Sequence, residues 1–303
     1  MAAISIINVS KSYGDKKASV KALENISFDV RCGELFGIIG PDGAGKTSLF
    51  RILATLLIPD EGSAKVGGFD TVKDYAKIRR IIGYMPGRFS LYRDLSVEEN
   101  LNFFAKVFNT SLNDNYEMIR DIYVRIEPFK KRRAGKLSGG MKQKLALCCA
   151  LIHRPEILFL DEPTTGVDPV SRKEFWAMLG KLKNEGVTIL VSTPYMDEAV
   201  LCDKTALIRN GRILSIDAPE KIGRNYRKPV YSISSGDNYG LLNEIRKCPD
   251  VDGCYMFGKF LHLAYAGDID TLVEAVRPDF PDIVVNRIEP SIEDCFIDLM
   301  QQR

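Results

Sequence analysis

The run Gly40-Pro41-Asp42-Gly43-Ala44-Gly45-Lys46-Thr47-Ser48 has the spacing G-x-x-x-x-G-K-[ST], which is the spacing of a phosphate-binding loop. Its glycines let the backbone curl until consecutive N–H groups point inward, and a helix beginning there adds the positive end of its dipole. Lys46 is suited to reach the outer phosphates of a nucleoside triphosphate, and the Thr47 hydroxyl to hold Mg²⁺. The apolar run Leu35-Phe36-Gly37-Ile38-Ile39 leads in as a buried strand. Leu49, Phe50, Ile52, Leu53, Leu56 and Leu57 lead out at helical spacing. That context favours a nucleotide loop over a glycine-rich turn ahead of a core helix.

A second constellation, Leu160-Asp161-Glu162-Pro163, ends the continuous apolar run 156–161. Such a run suits a strand buried on both faces of a parallel sheet. Alone it would read as an acidic strand end. With a phosphate loop upstream, Asp161 is suited to hold Mg²⁺ through water and Glu162 to polarise an attacking water.

The elements that must carry these groups alternate. Strands are expected at 4–9, 25–30, 35–39, 81–84, 156–161 and 187–191, with two short ones near 205–216. Helices are expected after the loop and at 72–80, 97–126, 139–152, 170–184 and 195–202. This is α/β order, with sites at the carboxyl ends of strands. Beyond about Pro219 the pieces 230–234, 240–247, 251–256, 260–265, 269–276, 283–287 and 291–301 read β-α-β-β-α-β-α, a small ferredoxin-like or related α+β unit. His262, between leucines there, reads as structural.

The bulk properties set limits. A chain of 303 residues, 45% hydrophobic and 27% charged, suits one large and one small globular domain. A net charge of +2 creates no global field for nucleic acid, and Lys130-Lys131-Arg132-Arg133 reads as a solvated loop. Seven cysteines without C-x-x-C spacing point to reduced thiols, with Cys148-Cys149 as small core residues. The N-terminus predicts a strand rather than a signal peptide. No apolar run approaches the roughly 18–20 residues of a membrane span.

Leu137-Ser138-Gly139-Gly140-Met141-Lys142-Gln143-Lys144, with Ser138 at a helix N-cap, resembles the signature motif of ATP-binding-cassette (ABC) ATPases. The phosphate loop, the Leu-Asp-Glu-Pro tetrad and Thr165-Gly166-Val167-Asp168-Pro169 as the D-loop stand in the same order and spacing as in that family, over residues 4–217. The resemblance implies a P-loop ABC cassette, with a mixed sheet core and a helical lobe at about 88–155. The nucleotide-binding domain would span 1–219, and a small C-terminal α+β accessory domain 220–303. It implies that Tyr13 stacks on adenine and that Glu162 is catalytic. It also implies that Ser138, Gly139, Gly140 and Gln143 face the ATP of a second cassette, because the signature cannot fold back onto its own loop. The 290–300 tail, the 91–101 stretch and Tyr195-Met196-Asp197-Glu198-Ala199 are similar to daunorubicin-resistance-type exporter ATPases. These work with a type-2 integral-membrane permease, here expected to meet an apolar patch of Phe89, Leu91 and Tyr92, the alternative being that these residues pack internally.

Two positions depart from the family pattern. Gly87, in Tyr84-Met85-Pro86-Gly87, stands where the family has a glutamine, and Pro194 stands where it has a histidine. Neither can supply the missing side-chain donor, and Pro194 lacks a backbone N–H as well. Arg88 or Thr193 are the neighbours able to substitute in part. The expectation is an ATPase that binds Mg·ATP and turns it over slowly, the alternative being that Glu162 suffices. A heterodimer with a competent cassette is favoured over a homodimer. The chain would be cytoplasmic, held at the inner face of the membrane by the permease, with no nucleic-acid partner. A regulatory ATP switch and a non-transport ABC ATPase are the competing readings.

Overall fold

The computed structural model describes residues 2–14, 19–224, 226 and 228–301. The chain separates into two compact units, Met1–Ile216 and Asp217–Arg303.

In the first unit, β1 (Ala2–Tyr13) and β2 (Val20–Arg31) form a long antiparallel pair. Strand β3 (Leu35–Ile39) leads into α1 (Lys46–Leu53). Strands β4 (Glu61–Val66) and β5 (Phe69–Asp70) complete a four-stranded sheet of order β2-β1-β4-β5. Next come α2 (Tyr75–Ile81), β6 (Ile82–Met85), α3 (Val97–Val107), α4 (Tyr116–Tyr123) and α5 (Gly139–Leu151). Strand β7 (Ile157–Asp161), α6 (Pro169–Asn184), β8 (Thr188–Thr193), β9 (Lys204–Arg209) and β10 (Arg212–Asp217) close the unit. The second sheet has the order β10-β9-β3-β8-β7-β6.

Strands β3 and β7 are buried at every position, and their alternating side chains divide two cores. Ile157 and Phe159 join Phe36, Ile38 and α1 residues Leu49, Phe50 and Leu53 on one face. Leu158 and Leu160 join Leu145 and Cys148 of α5 and Phe175 and Leu179 of α6 on the other. The parallel register then lines up the strand ends. Ile39 pairs Thr193, Asp161 pairs Ser192, and Met85 pairs Leu160. The chain therefore leaves one carboxyl edge at Gly40, Gly87, Glu162 and Pro194, side by side.

Two helix expectations change. The stretch 97–126 is two helices, because Asn109 takes a left-handed φ of 55° and Ser111 and Asp114 exchange side-chain-to-backbone bonds of 3.0 and 3.2 Å. These local bonds compete with helix continuation. The stretch 195–202 is a short 3₁₀ helix, Met196–Leu201. Strand β4 carries no apolar run to announce it, since only Ala64 and Val66 of its residues are buried.

The second unit contains α7 (Pro219–Arg224), β11 (Val230–Ser234), α8 (Asn238–Ile245) and β12 (Val251–Phe257). It continues with β13 (Phe260–Tyr265), α9 (Ile269–Val276), β14 (Val284–Ile288) and α10 (Ile292–Gln301). Its antiparallel sheet has the order β12-β13-β11-β14, the ferredoxin-like arrangement. Leu261 and Leu263 face its core. Between them His262 points to the opposite face, where its Nδ1 lies 2.9 Å from Asp294 Oδ1 and its ring stacks on Phe257 at 3.9 Å. Asp294 also accepts from the Ser291 N–H at 2.7 Å and hydroxyl at 2.6 Å.

Burial opposes the charge of Asp294, yet the His262 and Ser291 donors outweigh it and hold the carboxyl below its usual range. A depressed folded pKa means stability that is present above the unfolded value and lost as pH falls through the folded one. Asp294→Asn should therefore cost this unit about 1–3 kcal/mol near neutral pH. The cost should shrink as pH drops below about 4. Hydrogen exchange at β13 in both proteins across that range measures it.

Candidate functional site

The loop after β3 is shaped by close backbone packing. A Cβ on Gly40 would lie 2.1 Å from the Ile208 carbonyl oxygen. Gly45 has a φ of 104°, and a Cβ there would lie 2.2 Å from the Ala22 carbonyl oxygen, so both geometry and space require glycine. Ala44 is buried and its N–H donates to Pro41 O at 3.2 Å, which leaves Asp42 and Gly43 exposed at the crest. Gly45 is the N-cap of α1 and gives it no side-chain cap bond, whereas α3, α5 and α6 are capped by Ser96, Ser138 and Asp168. The first-turn N–H groups of Lys46, Thr47 and Ser48 thus meet the positive dipole end at the loop, a donor set that fits phosphate oxygens.

Lys46 lies at the centre, 3% exposed. Its Nζ donates to Gly40 O at 2.7 Å and Pro41 O at 2.9 Å, and pairs with Glu162 Oε1 at 3.0 Å. A buried ammonium needs such partners, because desolvation otherwise costs several kcal/mol. Glu162 itself has a positive φ of 52°, a conformation that costs an ordinary residue free energy and often marks functional sites. Its N–H donates to Ser192 O at 3.1 Å and Ser192 Oγ at 3.0 Å. The Ser192 hydroxyl in turn donates to Asp161 Oδ1 at 2.7 Å. Asp161 is 1% exposed. Burial, then the Asp161 charge, pushes neighbouring Tyr84 up to about 12. Lys46, Asp161 and Glu162 therefore meet at one edge, with Thr47 next in the chain after Lys46.

Tyr13 arrives from the far end of β1. Asp60 anchors that end by accepting from Lys11 Nζ at 2.5 Å and from the Ser12 N–H at 2.7 Å. The Tyr13 hydroxyl lies 3.1 Å from Ser48 Oγ, with 40% of the residue exposed, so an aromatic face stands beside the loop.

The departures at 87 and 194 sit on the same edge. A Cβ on Gly87 would lie 3.1 Å from Asp161 O and 3.7 Å from Asp161 Oδ2, so a side chain here would project toward that carboxylate. Thr193 does not stand free to replace a donor at 194. Its hydroxyl donates to Glu198 Oε2 at 2.5 Å and accepts from the Tyr195 N–H at 3.1 Å. Arg88 is exposed and lines a groove together with Tyr84, Pro86 and Phe89. Ser192 and Glu198 are the site residues that sequence reasoning passes over. No sequence signal separates Glu198 from the exposed Asp197 beside it, and it acquires meaning only from its partners.

The Ser138 segment gathers elsewhere. Ser138 caps α5 through Met141 N at 3.4 Å and is exposed with Gly139. A Cβ on Gly139 would be 3.3 Å from Gly166 O, and one on Gly140 would be 2.6 Å from Ser171 Oγ. The segment thus packs on the 166–171 turn. There Asp168 caps α6 by accepting from Ser171 N at 2.9 Å, a bond that holds its carboxyl below the usual range. Gln143 lines a groove of about 410 Å³ together with Tyr84, Phe89, Phe104, Phe108 and His153. Of the residues read as either a permease-facing patch or internal packing, Leu91 is 7% exposed and belongs to the core, while Tyr92 is 50% exposed.

The profile of the ABC transporter family matches residues 23–165. The chain is 39% identical over 290 residues to "Probable multidrug ABC transporter ATP-binding protein YbhF" of Escherichia coli, covering 92% of this chain and 49% of that protein. It therefore spans about half the length of that relative. It is 35% identical over 301 residues to "Nod factor export ATP-binding protein I" of Rhizobium sp., covering 98% of this chain and 96% of that one. Among solved structures it is similar to a dimeric bacterial ABC transporter cassette, with a TM-score of 0.65 and 26% identity over 71% of this chain and 98% of that one.

The Ser192 bridge can be tested on the protein alone. Ser192→Ala removes the donor to the buried Asp161 carboxylate and should cost about 1–3 kcal/mol. Urea unfolding followed at the single tryptophan, the buried Trp176 of the first unit, reads that loss.

Proposed function

Because the chain belongs to the ABC transporter family, we propose that it binds and hydrolyses ATP as the nucleotide-binding subunit of an exporter. In this reading residues 1–219 form the cassette, with a helical lobe at about 88–155, and 220–303 an accessory domain. The cassette closes over ATP with a second cassette and drives a separate type-2 permease that exports a drug or other amphiphile.

The observation that carries the reading is the meeting of Lys46, Asp161 and Glu162 at the uncapped start of α1. Lys46 and the N–H groups of the loop neutralise and orient the outer phosphates, and Glu162 orients and polarises the attacking water. Thr47 and Asp161 are the residues that would hold Mg²⁺, which when bound offsets charge on the phosphate oxygens. Tyr13 stacks on the adenine. Ser138, Gly139, Gly140 and Gln143, with Asp168 beyond them, serve the ATP of the opposing cassette. Their packing on the 166–171 turn, with Ser138 and Gly139 exposed, supports a role in trans.

The groove of about 410 Å³ beside Phe89 is the apolar surface that this reading assigns to the permease. Among the described residues no helix is long and apolar enough to cross a membrane. The permease holds the chain at the inner face of the cytoplasmic membrane. Nucleic acid is not a partner in this reading.

Gly87 and Pro194 favour slow turnover at this chain's own site, because a positioned charge-stabilising donor is worth about 100- to 1,000-fold in rate. They therefore favour a heterodimer in which this chain lends its signature to a competent partner. A regulatory ATP switch is the second reading, favoured by the same two positions. Gly87→Gln with Pro194→His should raise phosphate release by about tenfold or more in the assembled transporter, while nucleotide affinity stays within a few fold. The 3.1 Å approach to Asp161 O requires only a few tenths of an ångström of adjustment at position 87. Unchanged turnover in a folded double variant would sink the slow-site reading. Nucleotide-independent behaviour of Lys46→Ala and wild type alike would sink the ATP-binding one.

A further inference from the structure

Glu198 is a carboxylate with 2% exposure, and three side chains from different segments converge on it. Oε2 accepts from Thr193 Oγ1 at 2.5 Å, in the turn that carries Pro194. It also accepts from Thr164 Oγ1 at 3.0 Å, two residues beyond Glu162. Oε1 accepts from Arg172 Nε at 3.0 Å, one helical turn beyond Asp168. Arg172 is held from a second side by Asp197 at 3.2 Å and lies over the Tyr195 ring at 4.0 Å. Burial alone would depress the guanidinium pKa, but the Glu198 and Asp197 charges outweigh it and raise it.

We propose that Glu198 is a positioning residue, clamping the 192–195 turn to both ends of the 162–172 segment so that Glu162 and Asp168 are held in a fixed relation to the switch position. The backbone supplies the other half of the clamp. Glu162 N–H is bonded to Ser192, Thr165 N–H to Glu162 O at 3.3 Å, and Arg172 N–H to Asp168 O at 2.9 Å. No atom of Glu198 is among the groups assigned to the nucleotide, so it acts through these neighbours. Ser192 ties that turn to Glu162 directly, and the buried Glu198 carboxylate adds the ties to Thr164 and Arg172 on either side of the 165–171 stretch. Charge-assisted bonds in a buried network are worth more than surface pairs, and leaving one partner unpaired is costly.

The inference rests on the ATPase reading for its kinetic consequence, but its mechanical content can be read without turnover. Glu198→Gln keeps the size and removes the charge that pairs Arg172. Hydrogen exchange at 162–168 should speed by about tenfold, with exchange across β3 and α1 unchanged. In the assembled transporter kcat should fall by about tenfold or more while the KM for ATP moves less than threefold, since Lys46 and Thr47 lie outside the clamp. Thr164→Val and Thr193→Val, each removing one bond, should give smaller changes of the same kind, and they carry the test if Glu198→Gln does not fold. Unchanged exchange at 162–168 in the folded variants overturns the clamp, as does a uniform rise across the first unit. A wild-type protein without turnover would instead count against the ATPase reading, and the exchange comparison would still decide on Glu198.

Discussion

A lysine ammonium enclosed at the carboxyl edge of a parallel sheet is the constraint around which the first unit is arranged. Lys46 is almost without solvent, and its charge is met by Gly40 O, Pro41 O and Glu162. Each partner imposes its own condition. The carbonyls can reach inward only because Gly40 and Gly45 allow the backbone to pass within contact of Ile208 and Ala22. Glu162 can reach only because the chain turns sharply at a positive φ after a strand whose end is pinned to Ser192. Buried strands, tight loop and strained turn together hold one cation in a place where phosphate charge would have high electrostatic leverage.

Around that centre the two unusual positions acquire a physical meaning. Gly87 and Pro194 leave the sheet on the same edge, because β6, β7 and β8 are in parallel register there. A side chain at 87 would project toward Asp161, and glycine offers none. Thr193 beside Pro194 gives its hydroxyl proton to Glu198 and has none left to donate to a ligand. In the function we propose, Lys46, Thr47 and Asp161 are the binding groups, and positions 87 and 194 lack the side-chain donors expected to sense an outer phosphate. That division is the ground of the proposed slow turnover.

The second unit is organised by different physics. Its antiparallel ferredoxin-like sheet has one leucine-lined face, and the other carries His262 bonded to a buried aspartate. The sequence reading of that histidine as structural agrees with its stacking on Phe257 and its bond to Asp294. The order of its strands and of α8, α9 and α10 is legible in the chain with ends shifted by one or two residues, because strand and helix periods alternate and the turns are polar, whereas the short α7 is not.

Much of the fold and most of the centre could be read from the chain itself. Local patterns determine the phosphate loop, the buried strands and the capped helices at Ser138 and Asp168, since the bonds that make them lie within a few residues. What remained hidden depends on contacts between distant segments. The helix expected over 97–126 breaks at Asn109, where side-chain bonds outcompete the helical pattern. The sequence leaves Leu91 open between an apolar surface patch and internal packing, and its burial places it in the core. Ser192, Thr164, Arg172 and Glu198 carry no spacing that distinguishes them. Sequence alone determined which residues are able to hold phosphate, because that ability is local backbone geometry and side-chain chemistry. Only tertiary structure decided which groups restrain them, because strand register brings together residues more than 25 positions apart, such as Arg172 and Glu198.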